Sequence, residues 1–272
     1  MTFVLNSVSV RHASTDKNYS LQALNEVCLT IKQGEQIALI GPSGAGKTTL
    51  LHTLACSHPQ TSGELSVLGV SPWQLSHAER HALRARLFLA PQTPPLPPRQ
   101  RVVTAVLAGC LPQWSFWQAI TSLIKPRNVD AAYAVLAQFN LQDKLYARVD
   151  RLSGGERQRC GMARLLVSSA DVLLVDEPLS ALDPTLSLQT LTVLQQEASH
   201  RNATLVCSLH QVALALDHFP RIVGLREGRI VFDAPRAAVT NEMIAALYRN
   251  TAHIEQPELI APQLAECISI PG

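Results

Sequence analysis

The sequence predicts an α/β fold: a mostly parallel sheet with helices on both faces. Three observations predict it. Apolar strand-like runs alternate with helix-like stretches through the second half of the chain, the order that parallel strand-helix-strand units require. A short apolar run leads into a glycine-rich loop that opens a helix, Gly41-Pro42-Ser43-Gly44-Ala45-Gly46-Lys47-Thr48. A second apolar run ends in two acids, Val172-Leu173-Leu174-Val175-Asp176-Glu177. At 272 residues the chain can bury a substantial core in one domain, and two are possible.

The elements read as follows. Residues 3 to 10 and 24 to 31 alternate like strands, Gly34-Glu35 is a turn, and 36 to 40 is a short buried strand before the glycine loop. A helix is expected from Thr48 to Cys56, with Leu50, Leu51 and Leu54 on one face. Ser62-Gly63-Glu64 and Leu68-Gly69-Val70 mark a small hairpin region. A polar amphipathic helix over 76 to 86, its arginines solvated, precedes the strand Leu87-Phe88-Leu89-Ala90. The run Pro91-Gln92-Thr93-Pro94-Pro95-Leu96-Pro97-Pro98 can be neither helix nor central strand and reads as a loop or stiff linker. Residues 102 to 140 are helical in pattern, broken near Pro112 and Lys125-Pro126, so about 93 to 155 form a helical insertion in the α/β core. Helices over 156–168, 185–200 and 212–218 and strands over 172–175, 204–208, 222–225 and 229–233 complete the core. The remainder to Gly272 reads as a short, loosely held tail, too small for a separate regulatory domain.

Composition narrows the class. The chain is 47% hydrophobic and 16% charged, which is globular and fits docking on a membrane partner as well as ordinary variation. A net charge of +2 gives no argument for nucleic acid, and none is expected as a partner. Six scattered cysteines without a Cys-x-x-Cys pair argue for reduced, buried thiols rather than a metal site or a disulfide framework. No apolar run approaches the roughly 20 residues that span a bilayer, and no leader pattern opens the chain, so membrane association is expected to run through a partner.

The motifs carry chemistry. In the loop from Gly41 to Thr48, glycines let the backbone wrap an anion, and the helix that follows turns its positive end to the same place. Lys47 is expected to reach the β- and γ-phosphates of ATP, and the Thr48 hydroxyl to serve Mg²⁺, which prefers oxygen ligands. Asp176 and Glu177 end a buried parallel strand, where such folds put their sites; Asp176 would hold the Mg²⁺ shell and Glu177 would act as general base on the attacking water. Gln92 follows its strand and offers a neutral amide to Mg²⁺ and water. His210 ends the apolar run 205 to 209, where an imidazole could hydrogen-bond a γ-phosphate. Leu152-Ser153-Gly154-Gly155-Glu156 is a second helix start with a hydroxyl and bare amides. One ATP does not need two helix N-termini from one chain, so this second site is expected to face the nucleotide of another subunit in a two-fold dimer.

In this order the motifs resemble the ATP-binding subunit of an ABC transporter over about residues 1 to 235. The resemblance implies a P-loop ATPase core, RecA-like, with a small N-terminal antiparallel β subdomain and the inserted helical subdomain. It implies an ATPase domain over 1–250 and a tail over 251–272. It adds Thr49 to the ATP-binding residues of the loop, makes Gln92 the residue that senses the γ-phosphate, and makes Ser153, Gly154, Gly155 and Glu156 the signature acting in trans. Asp183, in Ser180-Ala181-Leu182-Asp183, would link the two sites of the dimer, and His210 would be the switch histidine. The family's adenine-stacking aromatic falls in register on His12, with Tyr19 a few residues later, and either ring can stack.

The closer similarity is to phosphonate importer ATPases. It rests on Phe116-Trp117, Leu209-His210-Gln211-Val212, the stretch from Arg221 to Gly228, Asn241-Glu242 and Leu247-Tyr248-Arg249. The implied assembly is a homodimer on two membrane permeases at the cytoplasmic face of the inner membrane, fed by a periplasmic solute-binding protein. Importers of other small anions and soluble ABC-like subunits of a phosphonate-metabolising complex share these motifs, and both stay open on the sequence. The proline run at 94 to 98 departs from the family pattern, which puts permease docking in question and leaves the ATP chemistry untouched.

Overall fold

The structure, a computed structural model, describes residues 1–11, 22–124 and 126–249. Two sheets stack. The first is antiparallel, with β1 (Phe3–Arg11) between β2 (Gln22–Ile31) and β4 (Ser62–Val67). The second has six strands in the order β5 (Leu87–Ala90), β6 (Val172–Asp176), β7 (Thr204–Ser208), β3 (Gln36–Ile40), β8 (Arg221–Arg226) and β9 (Arg229–Pro235). All pairs but β8–β9 are parallel.

The period of two along each central strand sorts the core into two layers. Val172 and Leu174 face Phe3, Leu5, Ile31 and the apolar side of α1 (Lys47–Leu54). Leu173 and Val175 face the opposite way, towards Leu165 and Leu166 of α6 (Gly154–Leu166) and Leu191 and Leu194 of α7 (Pro184–Arg201). Both faces of the sheet are therefore covered, which is why its strands read as unbroken apolar runs. The insertion is helical as expected: α3 (Val102–Leu107) and a 3₁₀ stretch containing Pro112, then α4 (Phe116–Ile124) and α5 (Val129–Ala137).

Several expectations need correction. Residues 62 to 70 are not a hairpin of their own, since β4 pairs along β1 and only Val67 and Val70 bridge locally. Gly63 reads as a turn residue in Ser62-Gly63-Glu64, and its φ is indeed positive. It sits instead at a register shift, where an added Cβ would come within 2.3 Å of the Ser7 carbonyl. The polar helix α2 (His77–Arg84) does not simply solvate its arginines: Arg80 and Arg84 lie 5.0 and 6.0 Å from the Trp73 ring centroid. The stretch after β9 is not all tail. After α8 (Val212–His218), residues Asn241–Tyr248 form α9, with Leu247 fully buried and Arg226 of β8 donating to the Ala246 carbonyl at 3.0 Å. Cys28 is exposed, whereas Cys56, Cys110, Cys160 and Cys207 are buried. Burial pushes Cys56 up to about 11 and Cys160 up to about 12, so these remain thiols at neutral pH.

Topology now places the site. β5, β6, β7 and β3 are successive neighbours, and their carboxyl ends lead into Gln92, Asp176-Glu177, His210 and the glycine loop.

Candidate active site

The glycine loop is held by its surroundings. Gly41 has φ +149°, and a Cβ there would come within 2.0 Å of the Leu225 carbonyl oxygen. Gly46 has φ +102° and presses on the Ala23 carbonyl in the same way, so neither position accepts a side chain. Gly44 also has a positive φ but faces open space, where a ligand can approach the backbone. The Gly228 amide donates to the Ala45 carbonyl at 3.0 Å, fixing the loop from the turn between β8 and β9.

Lys47 is 5% exposed, and its Nζ donates to the carbonyls of Gly41 at 2.7 Å and Pro42 at 3.2 Å. Burial lowers its pKa below that of an ordinary lysine, and the carboxylates of Glu177 and Asp176 oppose that shift. The ammonium thus lies inside the glycine loop with two acids nearby, a place where a bound polyanion would favour the charged form.

Asp176 is almost completely buried and fully partnered. Thr48 Oγ1 donates to its Oδ2 at 2.8 Å, and Ser208 Oγ donates to its Oδ1 at 2.6 Å. Glu177 lies one residue beyond, in the left-handed region at φ +47°. Its backbone amide donates to Ser208 Oγ at 3.0 Å, and its carbonyl accepts from Gln158 Nε2 at 3.3 Å. The side chain is held on both oxygens: Gln92 Nε2 donates to Oε2 at 2.6 Å, and His210 Nε2 lies 2.5 Å from Oε1. A carboxylate so oriented, 13% exposed, can take a proton from a water placed against it, and the half-exposed imidazole can bond an anion on the open side.

Signature residues begin α6. Ser153 is its N-cap and forms a capping box: Ser153 Oγ accepts from the Glu156 amide at 3.2 Å, and the Glu156 carboxylate accepts from the Ser153 amide at 2.7 Å. That hydrogen bond from the Ser153 backbone holds the Glu156 carboxyl below its usual range. An accepting hydroxyl still has its own hydrogen to donate. A Cβ on Gly154 would meet nothing, whereas one on Gly155 would lie 2.9 Å from the Ala181 carbonyl. Asp183 is the N-cap of α7 and accepts from the Leu186 amide at 2.9 Å.

The ABC transporter family pattern matches residues 24 to 180. The chain belongs to the ABC transporter family. Among its curated relatives, the phosphonates import ATP-binding protein PhnC 2 of Albidiferax ferrireducens is 56% identical over 253 residues, 93% of this chain and 91% of the relative. A phosphonates import ATP-binding protein of Pseudomonas fluorescens is 50% identical over 268 residues, 98% of each chain. The fold matches that of a dimeric bacterial ABC transporter cassette with a TM-score of 0.74 at 24% identity, over 86% of this chain and 98% of the cassette. An ATP-binding subunit of an ABC transporter matches with a TM-score of 0.73 at 19% identity, over 92% and 100% of the two chains.

Like others of its family, this ABC transporter subunit binds and hydrolyses ATP. Among the described residues, no helix is long and apolar enough to cross a membrane. The structure brings Lys47, Thr48, Gln92, Asp176, Glu177 and His210 to one edge of the sheet. It does not join Ser153 to them by any hydrogen bond among the described residues; the Ser153 side chain bonds within its own helix turn. The adenine-stacking candidates His12 and Tyr19 lie outside the described residues. Two residues went unread in the sequence, Ser208 and Gln158. Ser208 is the one hydroxyl at the site end of an apolar strand, a usable signal; Gln158 sits in a polar helix segment and carries no local mark.

The donor set suits Mg²⁺. Thr48 Oγ1 and the Asp176 carboxylate touch, and the other Asp176 oxygen is fixed by Ser208. Gln92 keeps its carbonyl oxygen while its amide nitrogen bonds Glu177. This is an oxygen-only group, and no cluster of three or more His, Cys, Asp or Glu that could hold a metal occurs among the described residues. Mg²⁺ is commonly held by one or two carboxylates together with substrate phosphates, which fits.

Proposed function

We propose that this chain drives uptake of phosphonates, or of a related phosphorus oxyanion, as the ATP-hydrolysing subunit of an importer. The observation that carries the ATPase chemistry is the Glu177 carboxylate, oriented by Gln92 and His210 beside the Lys47 loop. The solute class is supported by identity of about half or more with phosphonates import proteins along nearly the whole chain.

In this reading the amides of the loop from Gly41 to Thr49 cradle the phosphates, and Lys47 leaves the carbonyls of Gly41 and Pro42 to meet the β- and γ-phosphates. Thr48, Asp176 and Gln92 would hold Mg²⁺ together with the phosphates, and the ion would supply positive charge against the nucleotide. Glu177 orients the attacking water and takes its proton, and His210 bonds the γ-phosphate. Two copies meet head to tail, so that the first turn of α6 in one copy closes on the nucleotide of the other. That reading is supported by the open space over Gly154 and by the free hydrogen of the capping hydroxyl of Ser153. Asp183, at the start of α7, would link the two sites. The dimer works on two membrane permeases at the cytoplasmic face of the inner membrane, with a periplasmic protein delivering solute.

Uptake of a labelled phosphonate by cells lacking this chain tests the proposal. Expression of the wild type should restore uptake and Glu177→Gln should not. Restored uptake of a different anion with no phosphonate uptake would contradict the solute assignment. Co-purification with a soluble enzyme complex rather than with permeases would contradict the transport role.

A further inference from the structure

Gln158 is 3% exposed, one turn into the helix whose N-cap is Ser153, and its side-chain amide donates to the Glu177 carbonyl. The Glu177 peptide needs such a hold. Its φ of +47° places a non-glycine residue in the left-handed region, a conformation that persists only where the surroundings impose it. Two side chains do so from opposite ends: Ser208 Oγ takes the amide N–H, and Gln158 holds the carbonyl.

The same side of α6 also grips the segment that carries Gln92. Three residues after Gln158, Gly161 leaves room for Pro94: a Cβ there would fall 2.6 Å from Pro94 Cγ. Arg164 Nη1 then donates to the Pro95 carbonyl at 3.1 Å. The proline run that departs from the family pattern is thus seated on the signature helix. Its stiffness fixes the distance from that seat back to Gln92, and so to the Glu177 carboxylate. Contacts form a closed ring, from Glu177 through Gln92, Pro94, Gly161 and Gln158 back to the Glu177 carbonyl.

We propose that Gln158 is a positioning residue for hydrolysis, holding the Glu177 peptide in its left-handed conformation and tying the carboxylate to the helix that begins at Ser153. The proposal rests on Glu177 being the base. Gln158 bonds the backbone of Glu177 and not its carboxylate. Through it, a displacement of the signature helix shifts the oxygens that Gln92 and His210 orient.

Gln158→Met in the full-length chain tests this, because it keeps length and volume while removing the amide. ATPase kinetics, equilibrium ATP binding and Tm are measured beside wild type and Glu177→Gln. The expected result is a kcat lower by about tenfold, short of the roughly 100-fold that a full ångström of misplacement can cost, with ATP affinity and Tm near wild type. A kcat equal to wild type would overturn the proposal. So would a loss of kcat matched by equal losses in ATP affinity and Tm, which marks a merely structural amide. Ser208→Ala extends the test from the amide side of Glu177; because Ser208 also holds Asp176, it should lower ATP affinity as well as kcat, and a loss of neither would count against the clamp. Glu177→Gln separates the two claims: if it is inactive while Gln158→Met is normal, only the positioning role falls. If Glu177→Gln hydrolyses normally, the base assignment falls, and this proposal with it.

Discussion

His210 and Gln92 hold opposite oxygens of one carboxylate. His210 Nε2 lies 2.5 Å from Glu177 Oε1, while Gln92 Nε2 donates to Oε2 at 2.6 Å. The three residues follow the carboxyl ends of β7, β6 and β5, adjacent strands of one sheet, so the parallel register of those strands delivers them to one place.

Removing His210 should therefore affect chemistry more than binding. His210→Ala is expected to lower kcat by roughly 100-fold, within the range for losing a group that acts on proton transfer or on the oxyanion. Equilibrium ATP affinity should stay close to wild type, because Lys47 and the loop amides are untouched. Steady-state kinetics together with a binding titration check this; a large loss of affinity at unchanged kcat would contradict it.

Lys47 predicts both a mutational and a pH effect. Lys47→Ala should weaken ATP binding by roughly 30-fold or more, the cost of about 2 kcal/mol for truncating one partner of a buried charge pair. Burial lowers the lysine's pKa from 10.5. A bound polyanion favours the ammonium, so ATP binding takes up a proton once the free lysine has lost it. Affinity should be full below the depressed pKa and fall as pH rises through it, with the decline beginning below 10.5. Titrations of wild type and Lys47→Ala along a pH series check the sign, since the variant should lack the step.

Ser153 has one role in its own helix and, in the proposed dimer, a second. As N-cap, its loss in Ser153→Ala should cost about 1 kcal/mol of stability. As a turn facing a second copy's nucleotide, it should tolerate no bulk: Ser153→Arg should leave ATP binding by the monomer intact and stop turnover. Denaturant unfolding measures the first and ATPase assays the second. Normal turnover in Ser153→Arg would count against a site completed in trans.

What the sequence made legible were the contiguous motifs. The glycine loop, the acid-ended strand and the Ser153 cap each contain their geometry within a few residues, because a strand end or a helix start fixes it locally. The clamp on Glu177 was not legible. Gln158 and Ser208 meet the backbone of one residue from elements 50 residues apart in sequence, and only the sheet order and the packing of α6 bring them together. α9 was missed because it is a helix of 8 residues whose one fully buried side chain, Leu247, leaves almost no periodic signal. The misread turn at Gly63 shows the limit of glycine as punctuation: a positive φ serves a strand irregularity as well as a turn.

The central claim is that Glu177 takes the proton from the attacking water. Glu177→Gln keeps the side chain's shape and removes its basicity. Size-exclusion chromatography with ATP and Mg²⁺, run beside an assay of phosphate release, tests it most directly. The expected result is a stable ATP-bound dimer with phosphate release reduced to background. Phosphate release at the wild-type rate, with no dimer retained, would contradict the account.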